Sequence, residues 1–375
     1  MKDRKSKSAG ASAVELPGNV QRRAFLKTGV GLAAAGTLSL SAPAVLAQRG
    51  NGRVVVRGLG GAYQDAMTAA IYKPFTAATG IEVVVQPATA AQIRAMVQAK
   101  RVSLDVVDLT DIAQVALDKV GALAPIDYAG MKYTNPDDIQ AVVRKPNMVG
   151  NLIFSTVMVY NTDVFKGGNH PKTWSEFWDA KRFPGKRTLA DQQSGSAELE
   201  FALLADGVPM DKLYPLDVPR ALRVLAKIKP EIVMWWNTGA ASAQLMERRD
   251  AVLGGLWNGR AQDLIDKGAP LAIEWNQAKR QTQALSIIKD SPNAANAQKF
   301  IDFALQPKVQ AEVVRHIAYG PTNRQALKLL KPEELAKLPS SKEHFAQSFQ
   351  QDPEWWSENL SSVGQQWQSW VLQRS

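Results

Sequence analysis

The sequence predicts an α/β protein made of two lobes with a cleft between them. From Gly52 onward, short runs rich in Val and Ile alternate with segments whose apolar residues recur at helical spacing. Two extended runs, residues 151–165 and 283–288, are placed to carry the chain from one lobe to the other and back. Ligands of such folds bind outside the carboxyl ends of the strands, so we expect the site in the cleft.

The first lobe is predicted from three strands that alternate with three helices. The strands are RVVVRGL, IEVVVQPA and LDVVDLT, and the helices are YQDAMTAAIYKPFTAATG, AAQIRAMVQAKR and IAQVALDKVG. Gly80 and Gly121 end two of these helices, since glycine readily adopts the left-handed conformation of a helix terminus. Nearly continuous Val and Ile strands in this order predict a mostly parallel sheet with helices on both faces.

The second lobe is predicted to comprise residues 156–282. Thr173 precedes a helix and has a Glu three residues on, the pattern of a capping box. Helices and strands then alternate up to EWNQA. The first lobe would comprise residues 52–155 and 283–323, and residues 324–375 would form a helical segment seated on the body by its tryptophans.

Residues 1–47 are predicted to be a signal peptide. They combine a basic start, a mild apolar run and the small-x-small end Val45-Leu46-Ala47. Arg22-Arg23, followed by Ala-Phe-Leu-Lys, resembles a twin-arginine export signal, although Gln21 stands where that signal usually has Ser or Thr. The alternative is a chance pair of arginines in an ordinary secretory signal. We expect a periplasmic protein, cleaved after about Ala47.

Composition and charge exclude several classes of protein. The first 47 residues hold seven basic and two acidic residues, and so carry +5 of the net charge of +10. The other basic residues are scattered, without the dense patch and interleaved aromatics that nucleic-acid binding needs. Cysteine is absent, which excludes disulfides and thiolate metal sites. The apolar run near the start contains Pro43 and is a poor membrane span, so we expect a mature chain that spans no membrane. We also expect the mature chain to be monomeric.

Nothing in the sequence favours an enzyme. The three histidines are not at metal-ligand spacing, and the motifs H-E-x-x-H and G-x-S-x-G are absent, so we expect no catalytic residues and no metal. Twin-arginine export carries folded proteins, often with cofactors, so an exported cofactor-dependent enzyme is the rival interpretation. The sequence has no motif that cradles a flavin, a molybdopterin or a haem, and we expect no cofactor.

Several stretches between about Arg53 and Asn323 resemble a known family in their order and spacing. Among them are GGAYQDAMTAAIYKPFTAATGIEV, VMVYNTDVF, PKTWSEFWD, WWNTGAASAQLM, GGLWNGRA and NAANAQKFIDFALQPKVQAEVVRHIAYGPTN. The chain resembles the periplasmic substrate-binding proteins of ABC importers, in the spermidine/putrescine-binding group. This resemblance implies a type II periplasmic-binding-protein fold, closure of the lobes on a small solute, and delivery of the solute to the transmembrane subunits of an importer.

The resemblance also implies which residues hold the solute. Family members surround the methylene chain of a polyamine with aromatic rings, which match Tyr63, Trp257 and Tyr319 in this sequence, and bind its ammonium groups with carboxylates. Asp191 matches one of these carboxylates, whereas Gln283 stands where the family has its other cleft aspartate. A polyamine such as putrescine or spermidine is therefore the first expectation for the solute.

The loss of an acid at Gln283 opens a second expectation. Lys279 and Arg280 bring positive charge near this position. An amino acid or ω-amino acid such as 4-aminobutyrate is therefore the alternative solute. Arg260, three residues after Trp257, could pair with the carboxylate of such a solute.

Two strand ends are expected to place an indole ring at the cleft. Asn258-Gly259 is predicted to be a turn, which would set the ring of Trp257 at a loop edge facing the solute. Trp235 and Trp236 are adjacent in a strand and point to opposite faces, and we expect Trp236 to face the cleft.

Other polar residues at strand ends complete the predicted site. Thr238 could contact the solute or cap the following helix. Trp275 and Asn276 end the strand that contains PLAIE. Asp108 ends the third strand and could line the cleft or cap the helix that we expect at Ile112.

Overall fold

A computed structural model describes residues 52–58 and 60–373. The expected signal peptide, residues 1–47, lies outside the described residues. Within them, eleven strands form one mixed sheet. The strands are β1 (Arg53–Arg57), β2 (Glu82–Gln86), β3 (Val106–Thr110), β4 (Leu123–Ala124), β5 (Val149–Asn161), β6 (Arg187–Ala190), β7 (Ile232–Trp236), β8 (Leu253–Trp257), β9 (Leu271–Ile288), β10 (Gly320–Pro321) and β11 (Ser348–Gln350).

The sheet contains two parallel groups joined by two long antiparallel strands. Along its main path the order is β2-β1-β3-β9-β5-β8-β6-β7. Strand β1 pairs in parallel with β2 and β3, which form the first parallel group, and β6 pairs in parallel with β7 and β8, which form the second. Strands β5 and β9 pair antiparallel with each other and lie between the groups. The predicted α/β architecture with two crossing strands is confirmed.

Helices flank both parallel groups. They are α1 (Gly61–Met67), α2 (Lys73–Thr79), α3 (Ala90–Gln98), α4 (Asp111–Lys119), α5 (Trp174–Trp178), α6 (Leu199–Ala205), α7 (Val218–Ile228), α8 (Gly239–Glu247), α9 (Asn258–Asp266), α10 (Ala294–Ala304), α11 (Pro307–His316), α12 (Arg324–Leu327), α13 (Pro332–Leu335), α14 (Lys342–Ala346) and α15 (Pro353–Leu372). None of the described helices is long and apolar enough to cross a membrane.

Helices α1 and α2 form one continuous helix through a π-helical segment, Thr68–Tyr72. Pro74 lies at the start of α2 and has no backbone N–H to donate, which explains a local departure from α-helical hydrogen bonding. The helix ends at Gly80, which adopts a left-handed φ of 70° and donates its N–H to the Thr76 carbonyl at 2.8 Å. The sequence predicted this helix and its end.

Strand β9 is longer than the sequence predicts. We expected separate strands around residues 271–276 and 283–288, but they form one strand with a shift in register against β5. Gln277 has a φ of +61° and forms the irregularity. The polar stretch 279–283 does not have the pattern of a buried strand, yet its side chains are buried and bond to residues distant in sequence.

Two large hydrophobic cores flank the crossing strands. The first includes Phe75, Val106, Leu152 and Phe300, on the side of the first parallel group. The second contains aromatic side chains of α5 and α6 together with Trp356, Trp367 and Trp370 of α15. Trp257 packs against the first core and also against a smaller core around β8 and α9. It therefore lies where the two sides of the molecule meet.

Candidate functional site

The Arg260 side chain lies between segments that follow three different strands. It is the third residue of α9, directly after β8. A Cβ atom on Gly239, the first residue of α8, would lie 2.9 Å from Arg260 Nε and from Trp257 Cε3. A Cβ atom on Gly61, the first residue of α1, would lie 3.7 Å from Arg260 Nη2. Arg260 thus bridges the carboxyl ends of strands from both parallel groups, and Gly239 allows its close approach.

The guanidinium of Arg260 keeps an unused donor. Its Nε atom is buried and has no hydrogen-bond partner among the described residues. A buried donor without a partner costs roughly 1–3 kcal/mol, so native structures rarely contain one outside functional sites or water sites. Helices α8 and α9 begin beside it, at Gly239 and Asn258, and their N-terminal N–H groups favour a negative charge nearby. The arrangement suits an anionic group.

A buried carboxylate, Asp108, lies in the first parallel group with two neutral donors. The Tyr63 hydroxyl donates to it at 2.9 Å, and Gln283 Nε2 donates to it at 2.6 Å. Arg57 donates from Nη1 to the Asp108 backbone carbonyl at 3.1 Å. The structure therefore brings together Tyr63, Asp108 and Gln283, three residues of the predicted site. A carboxylate only accepts, so the amide nitrogen of Gln283 must face Asp108 and its carbonyl oxygen faces away.

Burial governs the charge of this carboxylate. Burial raises the pKa of Asp108 from 3.8 to about 6, while the hydrogen bonds from Gln283 and Tyr63 and the charge of Arg57 oppose the shift. Burial also raises the pKa of Tyr63 well above its usual value. At neutral pH the pair is therefore a carboxylate bound by a neutral phenol.

Helix α4 is not capped by Asp108. It begins at Asp111, whose own carboxylate accepts from the Ile112 N–H at 2.9 Å. Burial raises the pKa of Asp111 to about 7. Sequence reasoning missed Asp111, although an acid directly after the strand LDVVDLT is a recognisable signal at a helix start.

Aromatic rings form a line from Tyr63 to Trp236. The ring centroids are 6.5 Å apart for Tyr63 and Tyr319, 5.7 Å for Tyr319 and Phe154, 6.0 Å for Phe154 and Trp257, and 5.2 Å for Trp257 and Trp236. Burial raises the pKa of Tyr319 to about 12, so its hydroxyl stays neutral. The three predicted aromatic residues thus lie together, and Phe154 of β5 is an addition that its ordinary strand pattern did not indicate.

The predicted turn at Asn258-Gly259 is wrong, because these residues begin α9. Asn258 is fully buried, accepts from the Ser155 N–H at 2.9 Å and donates to the Ala318 carbonyl at 2.5 Å. A Cβ atom on Gly259 would lie 2.5 Å from the Tyr319 ring. The Asn-Gly pair therefore serves tertiary packing: Asn258 ties two chain segments to α9, and Gly259 makes room for Tyr319.

Trp236 does not face the cleft as expected. Its side chain is fully buried, and its Nε1 donates to the Gly255 carbonyl at 2.9 Å. Trp235, on the opposite face, packs against Trp367 and Trp370 of α15. Both faces of β7 are therefore covered here, which strand alternation alone does not reveal. Thr238 caps α8 by accepting from the Ala241 N–H at 3.2 Å, the second of its two predicted roles.

Trp275 and Asn276 do not lie beside the other residues of the predicted site. The Trp275 ring stacks on His344, with centroids 3.9 Å apart. Asn276 donates to the Lys172 carbonyl at 2.9 Å. Both residues precede the irregularity at Gln277 in the long strand β9, whereas Gln283 lies beyond it. Their predicted position at a strand end was wrong, because the strand continues.

Asp191 follows β6 and begins a short 3-10 turn, Gln192–Ser194. One carboxylate oxygen accepts from the Gln193 N–H at 2.8 Å, and the other accepts from Trp367 Nε1 at 3.1 Å. The loop that it begins lines a cavity opposite α3 and α4 of the first parallel group. Asp191 is thus at a strand end, as predicted, but is held by the C-terminal helix.

Lys279 and Arg280 both bond to protein groups, although the buried Nε of Arg280, like that of Arg260, has no hydrogen-bond partner among the described residues. Lys279 is buried and lies 2.7 Å from Glu198 and 3.3 Å from Glu200. Arg280 donates to the Phe345 and Ser348 carbonyls at 2.8 and 3.1 Å and stacks on the Phe345 ring. Two carboxylates neutralise Lys279, whereas Arg280 is held by neutral oxygens and an aromatic ring. Within residues 52–58 and 60–373, no group of three or more His, Asp or Glu side chains could hold a metal ion.

Comparison with known proteins defines the class of this chain. The family model of bacterial extracellular solute-binding proteins matches residues 70–343, and the chain belongs to that family. The gamma-aminobutyric acid-binding protein of Pseudomonas aeruginosa is 32% identical over 335 residues, which are 88% of this chain and 93% of that protein.

Two further comparisons extend this result. The spermidine/putrescine-binding periplasmic protein of Salmonella typhimurium is 28% identical over 168 residues, 44% of this chain and 47% of that protein. The crystal structure of an ABC transporter substrate-binding protein from Bradyrhizobium japonicum has a TM-score of 0.80 at 36% identity, covering 86% of this chain and all of that one. The protein is therefore an ABC-type periplasmic solute receptor with the two-lobed fold, and it is not an enzyme.

Proposed function

We propose that the cleft binds a small solute that carries both a carboxylate and an amine, as an amino acid or an ω-amino acid does. The observation that carries this proposal is Arg260, whose buried Nε lacks a partner beside the first turns of α8 and α9. A carboxylate could accept from Nε and from a second guanidinium nitrogen in the bidentate geometry that arginine favours. The bound anion would satisfy the unused donor.

The amine of the solute would lie toward Asp108 and Gln283. Asp108 is ionised at neutral pH, and its hydrogen bond from Gln283 leaves the carbonyl oxygen of Gln283 as a neutral acceptor. The rings of Tyr63, Trp257 and Tyr319 would surround the methylene groups between the two ends. An ammonium over such a ring gains about 0.5–2 kcal/mol.

The relative from Pseudomonas aeruginosa supports the same solute class. Gamma-aminobutyric acid, which names the Pseudomonas aeruginosa protein, carries an amine and a carboxylate. We propose that the present chain binds a solute with this pair of groups. Arg260 and Asp108 support the choice of these two groups.

A polyamine such as putrescine or spermidine is the second candidate. The similarity to the spermidine/putrescine-binding protein and the presence of Asp108 and Asp191 favour it. A polyamine, however, brings no anion for Arg260 and would place a second cation near it, which costs Coulomb energy in a partly buried site. We therefore prefer the solute with a carboxylate.

We further infer how the receptor works. The lobes, which we place at residues 52–155 with 283–323 and at residues 156–282, would close on the solute, stabilised by contacts that require both lobes. The closed form would dock on the transmembrane subunits of an ABC importer. Export by a twin-arginine signal within residues 1–47 and a monomeric mature form belong to the same proposal.

A thermal-shift screen tests the solute class. The mature protein is heated with a panel of ω-amino acids, α-amino acids, amino-acid derivatives and polyamines. A ligand at 100 times its Kd stabilises the folded state by about 2.7 kcal/mol, which is a shift of several degrees. We expect the largest shift from a compound with both a carboxylate and an amine. A large shift with spermidine alone would contradict the proposal.

A further inference from the structure

Helix α15 is anchored to the side of the second parallel group by buried side chains. Trp356 is fully buried and donates from Nε1 to Glu200 at 2.7 Å. At the other end of the helix, Lys229 Nζ donates to the carbonyls of Trp370, Val371 and Gln373 at 3.1, 3.0 and 2.7 Å. These contacts satisfy carbonyls that a helix C-terminus otherwise leaves free. The position of α15 along this side is therefore well determined.

The same helix also contacts α4, which follows the first parallel group. Lys119 Nζ lies 3.1 Å from Glu354 and 2.9 Å from Glu358, and it donates to the Ser357 hydroxyl at 3.0 Å. All three charged side chains are substantially exposed. Helix α15 therefore also contacts α4, through these exposed charges and through the buried hydrophobic core that Ile112 of α4 shares with Trp356 and Trp367.

Between these anchors, α15 reaches the loop that follows β6. Trp367 is 3% exposed, and its Nε1 donates to Asp191 at 3.1 Å. Asp191 also accepts from the Gln193 N–H, and its backbone carbonyl accepts from the Ser194 N–H at 3.0 Å. Asp191 therefore accepts from two amides of the loop 191–195, whereas the Gly195 N–H donates to the Gln192 carbonyl at 3.2 Å. That loop faces α3 across an open cavity.

We propose that Trp367 is a positioning residue for the cleft loop 191–195. By holding the Asp191 carboxylate, it fixes the loop that the second parallel group presents to the first when the solute is bound. The inference that this matters for binding rests on the proposed function. The C-terminal helix, which also lines this cavity through Ser357, Leu360 and Ser361, is then a working part of the receptor.

The first test compares two tryptophans of α15. Trp367→Phe removes the N–H and keeps an aromatic ring, whereas Trp370→Phe makes the same change in the same aromatic cluster without a bond to the loop. Hydrogen exchange is measured on the ligand-free mature protein. We expect exchange of the amides of residues 193–195 to rise at least tenfold in Trp367→Phe and to stay within twofold of wild type in Trp370→Phe. Equal exchange in the two variants would overturn the proposal.

The Asp191→Ala variant removes the acceptor of both the Trp367 and the Gln193 N–H groups without altering α15, so it gives the exchange expected when every contact of this carboxylate is lost. We expect it to speed exchange in the loop while the exchange of α15 stays unchanged. Adding Trp367→Phe to Asp191→Ala should have no further effect on the loop if Trp367 acts through Asp191. If the fold-increases in loop exchange of the two single variants multiply in the double variant, Trp367 acts independently of Asp191, which would contradict the proposal.

A binding measurement then connects the loop to the cleft. With 4-aminobutyrate as the probe in calorimetry, we expect Trp367→Phe to weaken affinity at least fivefold and Trp370→Phe by less than twofold. Absence of binding to the wild type by any compound with a carboxylate and an amine would count against the proposed function. The exchange experiment would still decide whether Trp367 positions the loop, so the two failures are distinguishable.

Discussion

Lys279 and Arg260 are two cations near the crossing strands whose charges are compensated in different ways. Lys279 is buried between Glu198 and Glu200, and Glu200 also accepts from Tyr214 and Trp356 at 2.7 Å. The Nε atom of Arg260 is buried too, but it has no partner among the described residues. The protein itself supplies the counter-charges of Lys279, whereas it leaves one buried donor of Arg260 without a partner.

This difference separates a structural charge from a binding charge. A buried ion pair stabilises a fold only when its partners stay together, because each unpaired member carries a large desolvation cost. The Lys279 cluster joins β9, α6 and α15 and meets that condition within the chain. Arg260 meets it only when an anion enters the cleft. Substitution at Lys279 should therefore change stability, whereas substitution at Arg260 should change binding.

Lys279→Met is expected to have the largest effect. The variant leaves Glu198 and Glu200 buried without their cation, and removal of one partner from a buried pair typically costs about 3–5 kcal/mol. Urea unfolding followed by tryptophan fluorescence measures this free energy. The control is Lys267→Met, which removes an exposed partner of Asp263 and should change the free energy of unfolding by less than about 0.5 kcal/mol. Equal effects would contradict a structural role for Lys279.

Arg260→Gln is expected to weaken solute binding about 100-fold. Loss of one partner of a desolvated charge pair costs about 2–5 kcal/mol, and each 1.4 kcal/mol is tenfold in Kd. The free energy of unfolding of the ligand-free protein should not fall, since no described carboxylate loses its partner, and removal of the unpartnered Nε should raise it by up to roughly 1–3 kcal/mol. Calorimetry with the best solute of the screen measures the affinity. Arg249→Gln, at an exposed arginine paired with Asp163, is the control and should bind like wild type.

Asp108→Asn is expected to change how stability depends on pH. The folded-state pKa of Asp108 is raised from 3.8 to about 6, so between these values the folded state binds more protons than the unfolded state. The contribution of Asp108 is therefore most favourable below pH 4 and is lost as the pH rises through about 6. Between pH 4 and pH 7, the free energy of unfolding of Asp108→Asn should therefore rise relative to that of wild type by on the order of 2–3 kcal/mol.

Urea unfolding of wild type and Asp108→Asn at several pH values measures this difference. In a plot of the free energy of unfolding against pH, any pH-independent cost of exchanging the carboxylate for an amide shifts one curve without changing its slope. Two parallel curves would show that Asp108 titrates alike in the folded and unfolded states, and would contradict the raised pKa of this buried carboxyl group.

Trp257→Ala is expected to have the smallest effect of the four, about a tenfold loss of affinity. Burial and stacking of a solute on an indole ring contribute about 1–3 kcal/mol, and the neighbouring rings of Phe154 and Trp236 retain part of this. Trp355→Ala is a matched control at another partly buried tryptophan, on α15. Both variants should lose stability, and only Trp257→Ala should lose affinity. Unchanged affinity would remove Trp257 from the site.

Local signals in the sequence predicted the framework well. The Val and Ile runs gave β1, β2 and β3, and Thr173 does cap α5 by accepting from the Glu176 N–H. A capping box would have the Glu176 side chain accept from the Thr173 N–H. It accepts instead from the Lys172 N–H, one residue earlier. These features depend on residues close in sequence, which is why pattern and spacing suffice to predict them.

Features that depend on distant partners could not be predicted in the same way. The polar centre of β9 is a strand because Glu198 and Glu200, some 80 positions away, neutralise Lys279. Asn258-Gly259 is helical because Ser155 and Ala318 bind the asparagine. The free donor of Arg260 depends on the packing of Gly239 and Gly61 around it, and no local pattern indicates that.

The most direct test of the central claim compares ω-amino acids with matched diamines. Calorimetry is done with compounds of three to six carbons that have an amine at one end and either a carboxylate or a second amine at the other. We predict that at least one ω-amino acid binds, at least 100-fold more tightly than the diamine of the same length, and that Arg260→Gln removes this preference. Tighter binding of every diamine than of its matched ω-amino acid would contradict the assignment of Arg260 as the carboxylate partner.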